Sequence, residues 1–473
     1  MKFFSVFTLF LLFTIYSVSG EVINAKSGSR TDIQAAINLA RQGDLVRIPA
    51  GTFNYDGSIS MKAGITLMGE GQDKTVLKRT GSTSSYAFNI DGSNGLPARI
   101  SGMTITGIAP TKSPGIKLIN GCKNFRIDHI TFRRCFDRAI ETHGQCKGVI
   151  DHCTFIDNWY TAVVVYGDEV ASWSRPINLG GDDAVFVEDC YFEQKNIGDD
   201  HMSHHVASNN GSRYVFRYNT TDDGYMSPQA IDVHGNKFGG IRGSRNYEIY
   251  KNKVQAEHRW LGMLIRGGDG VIWGNELTGD YTRPIDLMHE GRDGDGNCAY
   301  PCDDQIRSLY IWDNNYNGRT ISSVNVRHPS LIKLGRDYFM TKMPGYVPYP
   351  YPHPLTVEPG VEPPTAVISK RVEGEAHGLS VEGGVNSSGS SARIHFSVPQ
   401  SVSGQMIPVK LKIYNVQGEL VRTLFEGQKK AGMHEMTWDG FSGNRQKLAN
   451  GIYTLELEID GVRVNGQIVI YGR

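Results

Sequence analysis

The segments FRIDHITF (125–132), GVIDHCTF (148–155), VFVEDCYF (185–192), YVFRYNTT (214–221), YEIYKNKV (247–254), GVIWGNEL (270–277) and LYIWDNNY (309–316) align without a gap. One column is always apolar: Ile127, Ile150, Val187, Phe216, Ile249, Ile272 and Ile311. Three places on stand Ile130, Cys153, Cys190, Asn219, Asn252, Asn275 and Asn314. Each unit reads as a short, largely β-branched strand with a turn after it. The units recur at intervals of 23 to 39 residues, as repeat architectures do. A unit this short cannot bury its own apolar face, so neighbours must stack on one continuous core. The four successive asparagines read as an inward ladder at a turn, amide bonded to amide from coil to coil.

Upstream, TDIQAAINLARQGDLVRIPAGTF (31–53) predicts a helix capped by Thr31 or Asp32, with Ile33, Ala36, Ile37 and Ala40 on one face. Gly43 stops it, and LVRIPAGTF resumes as strand and turn. Such a helix would cover the open end of a solenoid, whose strand edges otherwise stay unpaired. Less regular coils follow (ITLMGEG, 65–71; ISGMTITGI, 100–108; GIKLING, 115–121). The repeat, the ladder and the helix-then-IPAGTF opening resemble a right-handed parallel β-helix of the pectate-lyase-like superfamily, over roughly residues 21 to 340. The resemblance implies an all-β fold with an N-terminal capping helix.

The bulk composition bounds the rest. At 473 residues the chain has room for two domains. Lysines plus arginines equal aspartates plus glutamates, 49 each, which argues against nucleic acid or an anionic membrane as main partner. Residues 1–20 carry Lys2, an apolar run and a small-residue end, the pattern of a secretory signal peptide. The protein is therefore expected outside the cell or at its surface, as a monomer, and no other stretch is apolar enough to span a bilayer. Seven cysteines are an odd count. Cys122 and Cys146 open equivalent coils and Cys153 and Cys190 share the ladder column, so these read as buried thiols. Cys298 and Cys302 form the better disulfide pair.

The β-helix is expected over 21–343, with a Pro-rich linker at 344–364 (PGYVPYPYPHPLTVEPGVEPP) too rich in proline for strand pairing. Residues 365–473 alternate strands and turns (VKLKIYNVQGELVRTLFEG, 409–427; GMHEMTWDG, 432–440; LANGIYTLELEIDG, 448–461), as in a small antiparallel sandwich. This pattern resembles the Ig-like module of flagellar hook-capping proteins and the sorting domain of type IX secretion substrates, implying secretion machinery as a partner. The tail VNGQIVIYGR and the stretch VNSSGSS (385–391) depart from the usual sorting domain.

The chemistry is sought in a second strand that follows the core segments: AIETHG (139–144), AVVVYG (162–167), AIDVHG (230–235), MLIRGG (263–268), DLMHEG (286–291) and VNVRHP (324–329). With Ile140, Val163, Ile231 and Leu264 in register, alternation gathers His143, Tyr166, His234, Arg266, His289 and Arg327 into one outer column. Two places earlier stand Glu141, Val164, Asp232, Leu264, Leu287 and Asn325, and HMSHHVASNNG (201–211) brings His204, His205 and Asn210 nearby. Random polar surface would give Lys, Glu, Ser and Thr, so the His/Tyr/Arg column reads as a groove. A third column, Asp128, Asp151, Glu188, Arg217, Tyr250, Trp273 and Trp312, would let sugar rings stack on its aromatic end. Arg213, Arg217, Arg242 and Arg245 suit a sugar carboxylate or sulfate, or else salt bridges, with Glu248 as a partner. In EGRDGDGNCAYPCDD (290–304), Asp293, Asp295 and Asn297 at alternate positions offer hard oxygen ligands for Ca2+; no other cofactor is expected.

Three functions fit these columns. The first is a lyase that cleaves a uronate-containing glycan by β-elimination. Arg266 or Arg242 would neutralise the carboxylate, His234 oriented by Asp232 would be the base, and Tyr166 or His289 would protonate the leaving oxygen. The second is a glycoside hydrolase using Glu141, Asp232, or the pairs Asp182–Asp183 and Asp199–Asp200. The NTD, GHG and RxK motifs of polygalacturonase-like β-helices are absent. The third is a glycan-binding or adhesive β-helix with no turnover.

Overall fold

The computed structural model describes residues 20–81, 84–108, 111–196, 203–237, 241–356, 379–382, 385–386, 392–398, 406–415, 419–448, 451–460 and 462–471. Residues 1–19 of the expected leader, the Asp199–Asp200 pair and residues 357–364 of the expected linker lie outside the described residues. The chain divides into two compact units, Met1–Thr356 and Val357–Arg473.

The first unit is a parallel β-helix. Each coil contributes a strand to each of three faces. The first face runs through Lys147–Asp151, Val185–Glu188, Arg213–Arg217, Asn246–Tyr250, Asp269–Trp273 and Leu309–Trp312, paired in parallel. The second includes Thr154–Ile156, Tyr191–Gln194 and Thr220–Met226. The third includes Phe136–Thr142, Trp159–Tyr166, Ser203–Asn209, Ile231–Val233 and the ends of the long strands Lys253–Ile265 and Glu276–Leu287. Every member of the apolar column from Ile127 to Ile311 faces the register partner expected of it and is buried. Phe132, Phe155 and Phe192 stack in the same interior, with ring centroids 5.1 and 4.6 Å apart.

A single left-handed residue bends the chain from first to second face: His129, His152, Asp189, Tyr218, Lys251, Gly274 and Asp313 all have φ between 51° and 63°. That bend breaks the strand ladder, so the next amide needs another acceptor. The asparagine column supplies it. Asn219 Oδ1 accepts from the Cys190 amide at 3.0 Å, Asn252 Oδ1 from Asn219 at 3.0 Å and Asn275 Oδ1 from Asn252 at 3.1 Å. Each Nδ2 returns a bond to a carbonyl of the preceding coil, as Asn252 does to Phe216 at 2.8 Å. Cys153 and Cys190, the thiols in this column, are buried and free, as are Cys122, Cys135 and Cys146. Cys298 and Cys302 form the expected disulfide.

The opening helix spans Arg30–Leu39 and buries Ile33, Ala36 and Ile37. Its cap is Ser29, whose side chain accepts from the Asp32 amide, not Thr31 or Asp32 themselves. The second unit is antiparallel except for one short parallel pairing of Val385–Asn386 with Val462–Tyr471. Its sheets are Leu379–Glu382, Ala392–Val398, Gly432–Trp438 and Val385–Asn386, Val462–Tyr471, Gly451–Ile459, Ile407–Tyr414, Leu420–Lys429. Its core holds Ile394, Phe396, Leu411, Ile413, Trp438, Leu455 and Leu457. Among the described residues, no helix is long and apolar enough to cross a membrane.

Candidate functional site

The middle of the first face is closed by its own chain. The column Asp128, Asp151, Glu188, Arg217, Tyr250, Trp273, Trp312 is in register throughout. Its acidic end is taken by arginines: Arg99 Nε lies 2.8 Å from Asp128, and Arg126 Nη2 lies 2.9 Å from Asp151. Arg217, fully buried, pairs with Glu188 and donates to the Tyr250 hydroxyl (2.9 Å) and to the carbonyls of Tyr349 (2.6 Å) and Pro350 (2.7 Å). The His353 amide donates to Glu188 at 2.7 Å, and the Tyr346 hydroxyl donates to Glu248. Residues 346–353, expected as extended linker, therefore lie across this face. Their prolines exclude strand pairing but leave carbonyls free to accept from Arg217. Tyr250 and Trp273 stack at 4.7 Å, Trp273 and Trp312 at 5.6 Å, and Tyr346 meets Trp312 edge-on. Tyr250 is covered by the chain itself and is lost to the expected sugar platform, whereas Trp273 and Trp312 remain half-buried. Glu248 serves Tyr346 and the Gly180 amide, not an arginine.

The third face keeps its polar side chains near solvent. The row after Thr142, Val165, Ser208, Val233, Ile265, Leu287 and Val326 is His143, Tyr166, Asn209, His234, Arg266, Met288 and Arg327. Five of the six expected members hold their places. His289 does not. Met263, not Leu264, pairs with Ile231 and Ile285, and Leu264 pairs with Asp286, so the outer residues of that coil are Asp286 and Met288. A one-residue slip reverses the faces of a strand, and DLMHEG lies one place from the register its sequence suggests.

Two polar clusters lie on this face. In the first, Glu141 is buried and gathers four donors. The Tyr86 hydroxyl is 2.7 Å away, His143 Nε2 2.5 Å, Lys117 Nζ 2.9 Å and Arg138 Nε 3.0 Å. Burial alone would raise this carboxyl, but the bonds from His143, Tyr86 and Lys117 and the Arg138 charge hold it down at about 2. An ionised Glu141 can only accept, so it fixes the His143 proton on Nε2 and leaves Nδ1 as the basic nitrogen. His143 is over a third exposed (37%). Its ring packs on Tyr166 with centroids 4.9 Å apart, and Arg138 Nη2 lies 3.4 Å from the Tyr166 hydroxyl. Lys117 occupies the Glu141 row one coil earlier.

In the second cluster, His234 sits between Asp232 (Nε2–Oδ2 3.2 Å) and Glu290 (Nδ1–Oε2 3.1 Å). Arg266 bridges the same carboxylates, with Nε 2.9 Å from Asp232 and Nη1 on Glu290. Burial would lower His234, yet the Asp232 charge and the bonds to both carboxylates push it up to about 9. His204, buried beside Asp232, is instead lowered to about 4 by burial. An imidazole held as a cation does not suit the role of resting base expected for His234. Asp232 and Glu290 are bound to shared cations and buried (side chains 1% exposed), so they are not opposed across an open cleft as a hydrolase pair is. Val164 and Ala207, on the two coils between the clusters, give the face a small-residue floor.

The remaining expected residues are structural or apart. His205 is fully buried, 2.8 Å from Asp223. Arg213 binds Ser172 and the Pro176 carbonyl. Arg242 binds Asp304 and Arg245 binds Asp269, both stacked over the Trp173 ring. Arg327 pairs with Asp286 beneath Trp260. Asp182 pairs with Lys147, and Asp183 lies near Arg175 and Arg213. In the 290–304 loop, Asp295 meets Lys237 at 3.2 Å and Asn297 bonds back to the Asp293 carbonyl. Among the described residues, Asp293 and Asp295 join no cluster of three His, Cys or acidic ligands. Sequence reasoning missed Tyr86, Lys117, Arg138 and Glu290. Lys117 was within reach by extending the Glu141 row one coil toward the N-terminus; Tyr86, in an irregular connection, carries no repeat signal.

Residues 21–251 match the family described as rhamnogalacturonase A/epimerase, pectate lyase-like, and residues 385–461 match the FlgD Ig-like domain. No curated protein matches the chain. Among solved structures, an alginate lyase from Paenibacillus sp. str. FPU-7 is 12% identical, over 65% of this chain and 97% of its own, with a TM-score of 0.37. The A-module of the mannuronan C-5 epimerase AlgE6 of Azotobacter vinelandii is 15% identical, over 61% and 82%, with a TM-score of 0.42. Pectin methylesterase PemA of Erwinia chrysanthemi is 8% identical, over 65% and 92%, with a TM-score of 0.34. The first unit is a parallel β-helix whose residues 21–251 are similar to the pectate-lyase-like family, and the second carries the similarity to the FlgD Ig-like domain over 385–461.

Proposed function

We propose that the β-helix is a secreted lyase that cleaves a uronate-containing polysaccharide by β-elimination on its third face. One observation carries this reading: Lys117, Arg138, Glu141, His143 and Tyr166 meet on adjacent coils of a solvent-facing surface. Elimination must remove a weakly acidic proton next to a carboxylate, offset the charge that builds on that carboxylate, and protonate a leaving oxygen. Lys117 and Arg138 supply the cations. His143 Nδ1, its tautomer set by Glu141, takes the proton. The Tyr166 hydroxyl delivers one to the leaving oxygen. The His234–Arg266 cluster, about three coil spacings of ~4.8 Å away, then holds a further sugar of the same chain. The description of the family matched by residues 21–251, which names a rhamnogalacturonase and an epimerase, supports a polysaccharide substrate.

The test is ultraviolet absorbance and reducing-end release from a panel of acidic and neutral glycans, with Ca2+ or chelator. A rise in both on an acidic glycan, about 10²–10⁴-fold lower in His143→Ala, is the expected result. Reducing ends without absorbance mean hydrolysis. Silence across the panel with glycan binding retained leaves a binding solenoid. Dependence on Ca2+ would return the 290–304 loop to consideration as a metal site.

A further inference from the structure

The loop from Glu290 to Asp304 holds an arrangement that elimination chemistry does not use. The His289 ring lies against the Cys298–Cys302 disulfide. Cys298 Sγ is 3.7 Å from each ring nitrogen, and the His289 Nδ1 accepts from the Gly296 amide at 3.2 Å. His289 and Cys302 are buried. One ligand atom from each of the three residues lies within 4.8 Å of the others. They line a cavity of about 290 Å³ that also receives Asp293, Asn297 and Asp303.

We propose that reduction of this disulfide creates a thiophilic metal site of His289, Cys298 and Cys302, taking Zn2+ or a similar ion. The geometry is close to what such an ion needs. With Zn–N near 2.0–2.1 Å and Zn–S near 2.3 Å, a tetrahedral N–S edge is about 3.6 Å, beside the 3.7 Å found. Because Nδ1 accepts from the Gly296 amide, it carries the lone pair of the neutral ring. Nδ1 is therefore the nitrogen that would ligate, exchanging that amide for the ion. Nε2 keeps its proton to donate, as the non-ligating nitrogen of a metal-bound histidine usually does. The cavity leaves the fourth position to water or a loop carboxylate. A dithiol reductant carries the step: it transfers two electrons and two protons, becomes a cyclic disulfide, and leaves two thiols. On metal binding both thiols lose their protons as the two metal–sulfur bonds form. The disulfide state belongs to oxidising surroundings and the metal state to reducing ones. Since Glu290 follows His289 directly and binds His234 and Arg266, loading the site would act on the second cluster of the third face.

The full chain would be reduced, freed of reductant without oxygen, and titrated with Zn2+ and with Co2+ as a spectroscopic probe. One equivalent per chain is expected, with a cobalt–thiolate absorption. The oxidised chain should bind none. Cys298→Ser should abolish the signal, and His289→Ala should weaken binding by at least the roughly 10–100-fold that loss of an outer-shell partner costs. The other five cysteines are buried in the β-helix and serve as internal controls. Should a variant fail to fold, alkylation of the unmodified sequence decides: metal must protect Cys298 and Cys302. Equal binding by the oxidised chain, a thiolate signal surviving Cys298→Ser, no binding after reduction, or no protection would each overturn the proposal.

Discussion

Glu141→Gln tests the electrostatics of the first cluster most directly. The substitution keeps size and one acceptor oxygen but places an NH2 group where donors now converge from Tyr86, His143, Lys117 and Arg138. A carboxyl held at about 2 against 4.5 when unperturbed corresponds to roughly 3 kcal/mol at neutral pH. Lys117 and Arg138 are 29% and 25% exposed, and solvent screening reduces the expectation to roughly 2–3 kcal/mol. The sign follows from linkage. A depressed folded value stabilises above the unfolded value of about 4.5 and loses that contribution as pH falls toward 2. Thermal melts of the variant and its parent should therefore differ clearly at pH 7, with more than half of the difference gone by pH 3. Equal melting at neutral pH would refute the reasoning, as would a difference that persists unchanged in acid.

Three further outcomes are expected. Asn252→Ala removes the acceptor of the Asn219 amide and the donor to the Phe216 carbonyl; two buried polar atoms left bare at roughly 1–3 kcal/mol each should lower the melting temperature well beyond an exposed Asn→Ala control. His204 and His353, both lowered to about 4 mainly by burial, each impose a penalty that is absent above pH 6.5 and grows to roughly 3 kcal/mol as pH falls through 4; His353→Leu should flatten the melting temperature between those limits. Arg217→Met strands the buried Glu188 carboxylate, at a cost of about 3–5 kcal/mol, and should expose residues 346–353 to limited proteolysis; a cleavage pattern identical to the parent's would deny that Arg217 holds that segment.

What the sequence made legible follows from what a repeat encodes. The seven eight-residue segments predict their register without error because each contains strand, bend and ladder residue at fixed spacing, so any misplacement would put Asp128 or Trp273 into the core. The second strand is anchored less firmly. It follows connections of variable length, and both Ile285-Asp286-Leu287 and Asp286-Leu287-Met288 satisfy a short apolar pattern; only the pairing of Ile285 with Met263 separates them. Asn209 escapes the sequence pattern for the same reason, since the coil from 201 to 211 lacks the small-residue start of its neighbours.

Alternation tells which face a side chain points to, but it cannot tell what else the chain lays over that face. The acidic-to-aromatic column and the His/Tyr/Arg column were equally regular in sequence, and both read as grooves. They part company only in tertiary structure. Arg217 takes the carbonyls of Tyr349 and Pro350 and closes the first column from Glu188 to Tyr250, whereas His143 remains over a third exposed. The same consideration reorders the chemistry within the exposed column. His143 and His234 are equivalent by position, yet His143 has one carboxylate partner and a nitrogen left to act. His234 is clamped between two carboxylates beside Arg266, and its proton is held where a base would need a lone pair. What separates the two imidazoles is therefore the number of charges each meets, a property of neighbouring coils that no single repeat contains.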